Sequence, residues 1–146
     1  MLERANRNKE KADADNVSFI ESAITQIALP DATADCIISN CVINLVPEQE
    51  KQLAFNEMFR LLKPGGRLAI SDILTRKELA EELKKSIALY VGCISGASQV
   101  RDYEKYLSEA GFSCKNSLSA CVVSHLQSRL LILLCLIRCH DCGHHA

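Results

Sequence analysis

The chain has 146 residues, of which 48% are hydrophobic and 24% charged, with a net charge of −1; this is the profile of one globular domain with a single core. Acids and bases are mixed along it, so no basic stripe marks a nucleic-acid partner or an anionic membrane surface. The opening MLERANRNKEKADADN lacks the apolar centre of a secretory signal, and LLILLCLI (130–137) falls far short of the roughly 18 residues of a spanning helix.

In chain order, MLERANRNKEK has helical spacing, and NVSFIE (16–21) reads as a short strand of β-branched and aromatic residues. ADCIISN (34–40) is a continuous apolar run between polar turns, which predicts a strand covered on both faces, with Cys36 in the core. PEQEKQLAFNEMFRLLKPGG predicts a helix that places Phe55, Phe59 and Leu62 on one face beside Met58. Glu48 and Glu50 suit its positive end, and Lys63-Pro64-Gly65-Gly66 stops it. RLAISDIL is a second buried strand. Asp72 at its end either faces a pocket or makes a local capping or turn contact.

TRKE (75–78) fits a capping box, and behind it Leu79, Leu83 and Ile87 repeat at helical spacing up to Tyr90. The loop VGCISGAS leads to a last helix near 99–110, closed by Gly111, with Tyr103 and Tyr106 as packing and surface residues. This alternation implies an α/β fold built on a parallel sheet, with helices on both faces. The apolar segment 130–137 is expected to pack on an exposed sheet face or to drive association. Cys135, Cys139, Cys142 and His145 have spacing superficially like a metal site, but Cys135 lies inside the apolar run and the paired ligand arms of a zinc site are missing. With eight cysteines, no export signal and ample apolar residues, the thiols read as reduced and cytoplasmic.

At LKPGGRLAISD the chain resembles the later half of class I S-adenosylmethionine-dependent methyltransferases. The combination of SNCVINL and YVGCISGA with LPDATADCIIS and YLSEAGF is similar to arsenite methyltransferases, over about Met1 to Phe112. The resemblance implies a partial Rossmann-like class I methyltransferase sheet lacking its first strands. It implies a partial methyltransferase domain over 1–120 and an atypical, poorly ordered tail over 121–146. It also implies S-adenosylmethionine as cofactor, bound by Ser22, Ala23 and Ile24 at the adenine and by Ser39 and Asn40 at the strand end. Thr25 stands where the family commonly has an acidic residue. Trivalent arsenic is the implied substrate, held by the thiolates of Cys41 and Cys93, with glutathione or thioredoxin as the kind of reductant needed. Arsenic detoxification in the cytoplasm follows as the implied role.

The chemistry of the residues agrees with that implication. Trivalent arsenic is thiophilic, so cysteines are its natural ligands. Its lone pair can attack an electrophilic methyl group directly, and the site then has to align the partners and exclude water. Cys41 lies at the end of a central strand, where open α/β sheets bind ligands. The alternatives are a catalytically inactive fragment of such an enzyme and a methyltransferase for another small molecule.

Overall fold

The computed structural model describes residues 1–76, 96–112 and 130–138. Helix α1 (Leu2–Lys11) forms where the sequence places it. Glu3 in its first turn and Lys9 and Lys11 in its last turn complement the helix dipole, yet the helix fully buries none of its residues. Strand β1 (Ala34–Asn40), helix α2 (Lys51–Leu61) and strand β2 (Leu62–Thr75) follow, then helix α3 (Val100–Ala110) and strand β3 (Leu130–Arg138).

The sheet order is β1-β2-β3. β1 runs parallel to β2, with Cys36 opposite Arg67 and Asn40 opposite Ser71. β3 runs antiparallel to β2, from Arg67 opposite Arg138 to Thr75 opposite Leu130. The apolar segment near the C-terminus is therefore a strand within the sheet, where the sequence suggested packing onto its face. The hydrogen bonds it makes with β2 account for the difference, because they satisfy the backbone of both strands.

Helix α2 ends where the proline and glycine signals predict. Leu62 is already extended, and Lys63, immediately before proline, is disfavoured in the helical region. The Lys63-Pro64-Gly65-Gly66 segment forms a bulge in β2. Across it β1 advances two residues, from Ala34 to Cys36, while β2 advances five, from Leu62 to Arg67. Gly65 takes φ +78°, which glycine adopts without strain.

The core lies on one face of the sheet. Leu68, Ile70 and Leu74 of β2 pack with Phe55 and Met58 of α2 and with Tyr103 and Leu107 of α3. The Tyr103 ring meets Phe55 edge-on at 5.0 Å, and Phe59 meets Phe112 in the same way at 5.1 Å.

Three expectations are corrected here. β1 is not covered on both faces: Ile38 is 79% exposed, and Cys36, placed in the core by the sequence, is exposed beside it. Of the helices expected on the two faces of the sheet, α2 and α3 cover one, and the helix expected at 79–90 falls outside the described residues. NVSFIE is not a strand; its backbone runs without a ladder partner among the described residues, and an apolar, β-branched stretch becomes a strand only when another strand accepts its hydrogen bonds. The helix predicted behind Thr75 lies outside the described residues. No described helix is long and apolar enough to cross a membrane.

Candidate functional site

The end of β1 passes into a tight turn that carries Cys41. Cys41 adopts φ +54°, a left-handed conformation that is uncommon for a residue with a side chain and costly to hold. Its amide donates to the Ser71 carbonyl of β2 at 2.8 Å, so the strained residue is tied to the neighbouring strand. The cysteine is half-buried. The next residues form a 3-10 turn (Ile43–Leu45), in which Ile43 and Asn44 are buried. Asn44 fixes the turn through its side-chain amide, which donates to the Ile73 carbonyl at 2.7 Å.

Of the other residues singled out in the sequence, Ser39 lies on β1 next to this turn. Its hydroxyl is buried with no hydrogen-bond partner among the described residues. A buried hydroxyl in that state costs free energy unless a ligand or water completes it, so it fits a polar ligand group at the strand end. Asn40 is exposed beside it.

Ser22, Ala23 and Ile24 lie on the loop that leads to β1. The Ser22 hydroxyl accepts from the Ala28 amide at 3.1 Å, Ala23 bridges to Gln26, and Ile24 packs against the core cluster. Helix α2 holds this loop in place. Glu57 accepts from the Ile27 amide at 2.6 Å, and Arg60 donates to the carbonyls of Ile27 and Leu29 and pairs with Asp31. The Arg60 guanidinium beside Glu57 holds that carboxyl below its ordinary range. Cys93 lies outside the described residues, so the structure places Cys41, Ser39 and Asn40 together at the strand end without it. Among the described residues no group of three or more His, Cys, Asp or Glu side chains could hold a metal ion.

Behind the Cys41 turn lies a buried polar cluster. Asp72, at the end of β2, is fully buried and accepts from the Tyr103 hydroxyl at 3.1 Å. Burial pushes its carboxyl up to about 6, against the opposing influence of Tyr103, the Ile43 amide and the charge of Lys51. Lys51, the first residue of α2, is 1% exposed; its ammonium donates to Glu48, to the Gly96 carbonyl and to the Ser98 hydroxyl, each at 2.7 Å. Gly96 sits so close to the turn that a Cβ there would lie 2.0 Å from the Asn44 carbonyl oxygen.

Sequence reasoning missed Asn44, Lys51 and Ser98. It left Asp72 open between a pocket and a local contact; the carboxylate instead reaches across the sheet to α3. Lys51 carried a signal that could have been used. A lysine in the first turn sits at the wrong end of the helix dipole, which invites a search for its partner. Tyr103, expected among packing and surface residues, is a core residue that also bonds Asp72, and Tyr106 stacks on Phe55 at 5.7 Å while bonding Glu48.

Comparison with known proteins adds the remaining findings. A methyltransferase domain family matches residues 1–111. The arsenite methyltransferase of Halobacterium salinarum is 40% identical over 112 residues, covering 77% of this chain and 28% of the relative. That of Aquipseudomonas alcaligenes is 43% identical over 101 residues, covering 67% of this chain and 29% of the relative. The crystal structure of an arsenic(III) S-adenosylmethionine methyltransferase from Chlamydomonas reinhardtii superposes with a TM-score of 0.68 at 26% identity, covering 86% of this chain and 44% of that one. The chain spans less than a third of the length of these two curated relatives.

Proposed function

Because the chain belongs to the methyltransferase domain family and is arsenite methyltransferase-like within class I, we propose that it serves the transfer of a methyl group from S-adenosylmethionine to trivalent arsenic held by Cys41 and Cys93. The observation that carries this proposal is Cys41 itself. A thiol-bearing residue is kept in a left-handed conformation at the C-terminal end of β1, the end at which open α/β sheets bind ligands, and Ser71 holds its amide there. Backbone strain of this kind persists only where the surroundings enforce it, and it clusters at sites that bind or react.

S-adenosylmethionine would supply an electrophilic sulfonium methyl group. Ser39, with its unpartnered buried hydroxyl, and Asn40 would hold its polar part at the strand end, and the loop of Ser22, Ala23 and Ile24 would flank the adenine. Cys41 and Cys93 would hold the arsenic as thiolates, and a thiol reductant of the glutathione or thioredoxin kind would keep them reduced. No strong base is required, since the arsenic lone pair is the nucleophile.

Titration of the reduced chain with S-adenosylmethionine, and then with arsenite, checks both halves of this proposal. Micromolar binding of each is expected, with arsenite binding abolished in Cys41→Ser. Arsenite bound equally well by Cys41→Ser would remove arsenic from the site. The bare face of β1, with Ile38 79% exposed, favours a second reading in which this chain by itself holds no cofactor and is not catalytic. Arsenite binding without any S-adenosylmethionine binding is the outcome that second reading expects.

A further inference from the structure

Arg60 of α2 uses its whole guanidinium. Nε and one terminal nitrogen donate to the two Glu57 oxygens at 2.8 and 2.6 Å, the geometry of a bidentate pair. The remaining hydrogens reach the Ile27 carbonyl at 3.1 Å, the Leu29 carbonyl at 3.0 Å and the Asp31 carboxylate. These are five bonds from a group with five N–H donors. The main chain adds a further tie, since the Ala32 amide donates to the Arg60 carbonyl at 2.9 Å. Glu57 holds the same stretch from beside it, because the oxygen that accepts from Arg60 also accepts from the Ile27 amide. The loop partners of this pair therefore all lie within 27–32, between β1 and the residues proposed to flank the adenine. Ala28, between the two carbonyls that Arg60 holds, is the residue whose amide reaches back to the Ser22 hydroxyl. Inside that closure the Gln26 amide donates to the Ala23 carbonyl at 3.0 Å. Ser22 and Ala23 are themselves exposed, and an exposed loop with few bonds of its own opens readily unless something holds it.

We propose that Arg60 is a positioning residue for the base of the cofactor. By holding the carbonyls of Ile27 and Leu29 it sets the pose of residues 22–28, and through that pose the preference for adenine. The preference rests on the cofactor reading given above, whereas the pose rests on the hydrogen bonds alone. The two are tested apart.

Amide hydrogen exchange on the reduced chain, comparing wild type with Arg60→Met, reads the pose. Exchange at Gln26, Ile27 and Ala28 should quicken about tenfold or more, the scale of losing a charge-assisted hydrogen bond. The amides of β2 should exchange as in wild type. Alkylation of Cys41 by iodoacetamide should stay within about twofold of wild type, since its anchor to Ser71 is untouched. Arg60→Lys keeps a charge beside Glu57 and serves if Arg60→Met fails to fold. It should quicken the same loop amides by about threefold, because one ammonium cannot span a carboxylate and two carbonyls as a planar fork does.

Titration with S-adenosylhomocysteine and with S-inosylhomocysteine, which differ at the edge of the base, reads the preference. The wild type should favour the adenine ligand about tenfold, and Arg60→Met should narrow that ratio to about threefold or less. A general loss of stability would weaken both ligands alike and leave the ratio as it was. Loop exchange unchanged in both Arg60 variants overturns the pose, whatever the ligands do. A ratio near one in the wild type, or one that the variants leave unchanged, overturns the role for the base. A wild type that binds neither ligand, with loop exchange still set by Arg60, leaves the pose standing and overturns the cofactor reading instead.

Discussion

Asp72 is the residue whose chemistry its surroundings change most visibly. An aspartate ordinarily titrates near 3.8, and burial lifts Asp72 to about 6 in the fold. Between those two values the folded chain binds more protons than the unfolded one, so this group's contribution to stability falls as pH rises through that window and levels off above it. Replacing the carboxylate by a neutral amide that can still accept from Tyr103 removes the penalty. Asp72→Asn should therefore gain on wild type by about 1–2 kcal/mol between pH 4 and pH 7.5, as read from paired thermal denaturation curves. A difference between the two proteins that does not change with pH would show that the carboxylate is well solvated. At this scale the sequence was only partly legible. Cys41 could be placed because it ends an apolar run, where a strand must hand over to a loop. Lys51 offered only the hint of a cation at the wrong end of a helix, and its partner Ser98 could not be read, because their meeting depends on a tertiary contact across forty-seven positions that no local spacing encodes.

Among the elements, those with a strong local signal formed where the sequence predicts them. α2 buries Phe55 and Met58, with Phe59 packed at its margin, as the apolar spacing requires. α3 begins after Gln99 and closes at Gly111, whose φ of +101° is the left-handed cap that glycine provides. The Phe112 amide completes that cap by donating to the Leu107 carbonyl at 2.9 Å. A side chain at position 111 would meet two obstacles, since the backbone conformation is unfavourable and a Cβ would lie 2.9 Å from the Phe59 ring. Gly111→Ala should cost about 1–3 kcal/mol, read as a lower midpoint in urea with an unchanged slope. An unchanged midpoint would mean that the cap rebuilds around the methyl group at no cost. Strands were less legible than helices, for a physical reason. The same apolar, β-branched character marks 16–21 and 34–40, but only the second finds a partner, in β2. A helix satisfies its backbone internally, whereas a strand depends on where another segment lies.

At the scale of the whole molecule, the sheet is asymmetric among the described residues. One face carries α2, α3 and the core, while Ile38 and Cys36 on β1 stand exposed on the other. The apolar run 34–40 promised two covered faces because composition reports only that a strand can be buried, not what is present to bury it. Among the described residues, the stabilising contacts are those of the covered face and the ladders on either side of β2, the central strand. Without β3, β2 would pair among the described strands only with β1, and a two-stranded sheet depends for its stability on packing against α2 and α3. β3 lies alongside β2 from Arg67 to Thr75, which covers the β2 residues that carry the core and the Asp72 carboxylate. A chain ending at Ala120, the boundary drawn from the sequence, should therefore unfold at least about 10 °C lower or lose its single cooperative transition. Circular dichroism melts of the two chains at equal concentration decide it. Loss of cooperativity would show that the segment after 120 is an integral strand of the domain. An unchanged melt would show that β1, α2 and α3 suffice to hold β2, and would confine the structural unit to the methyltransferase-like part of the chain.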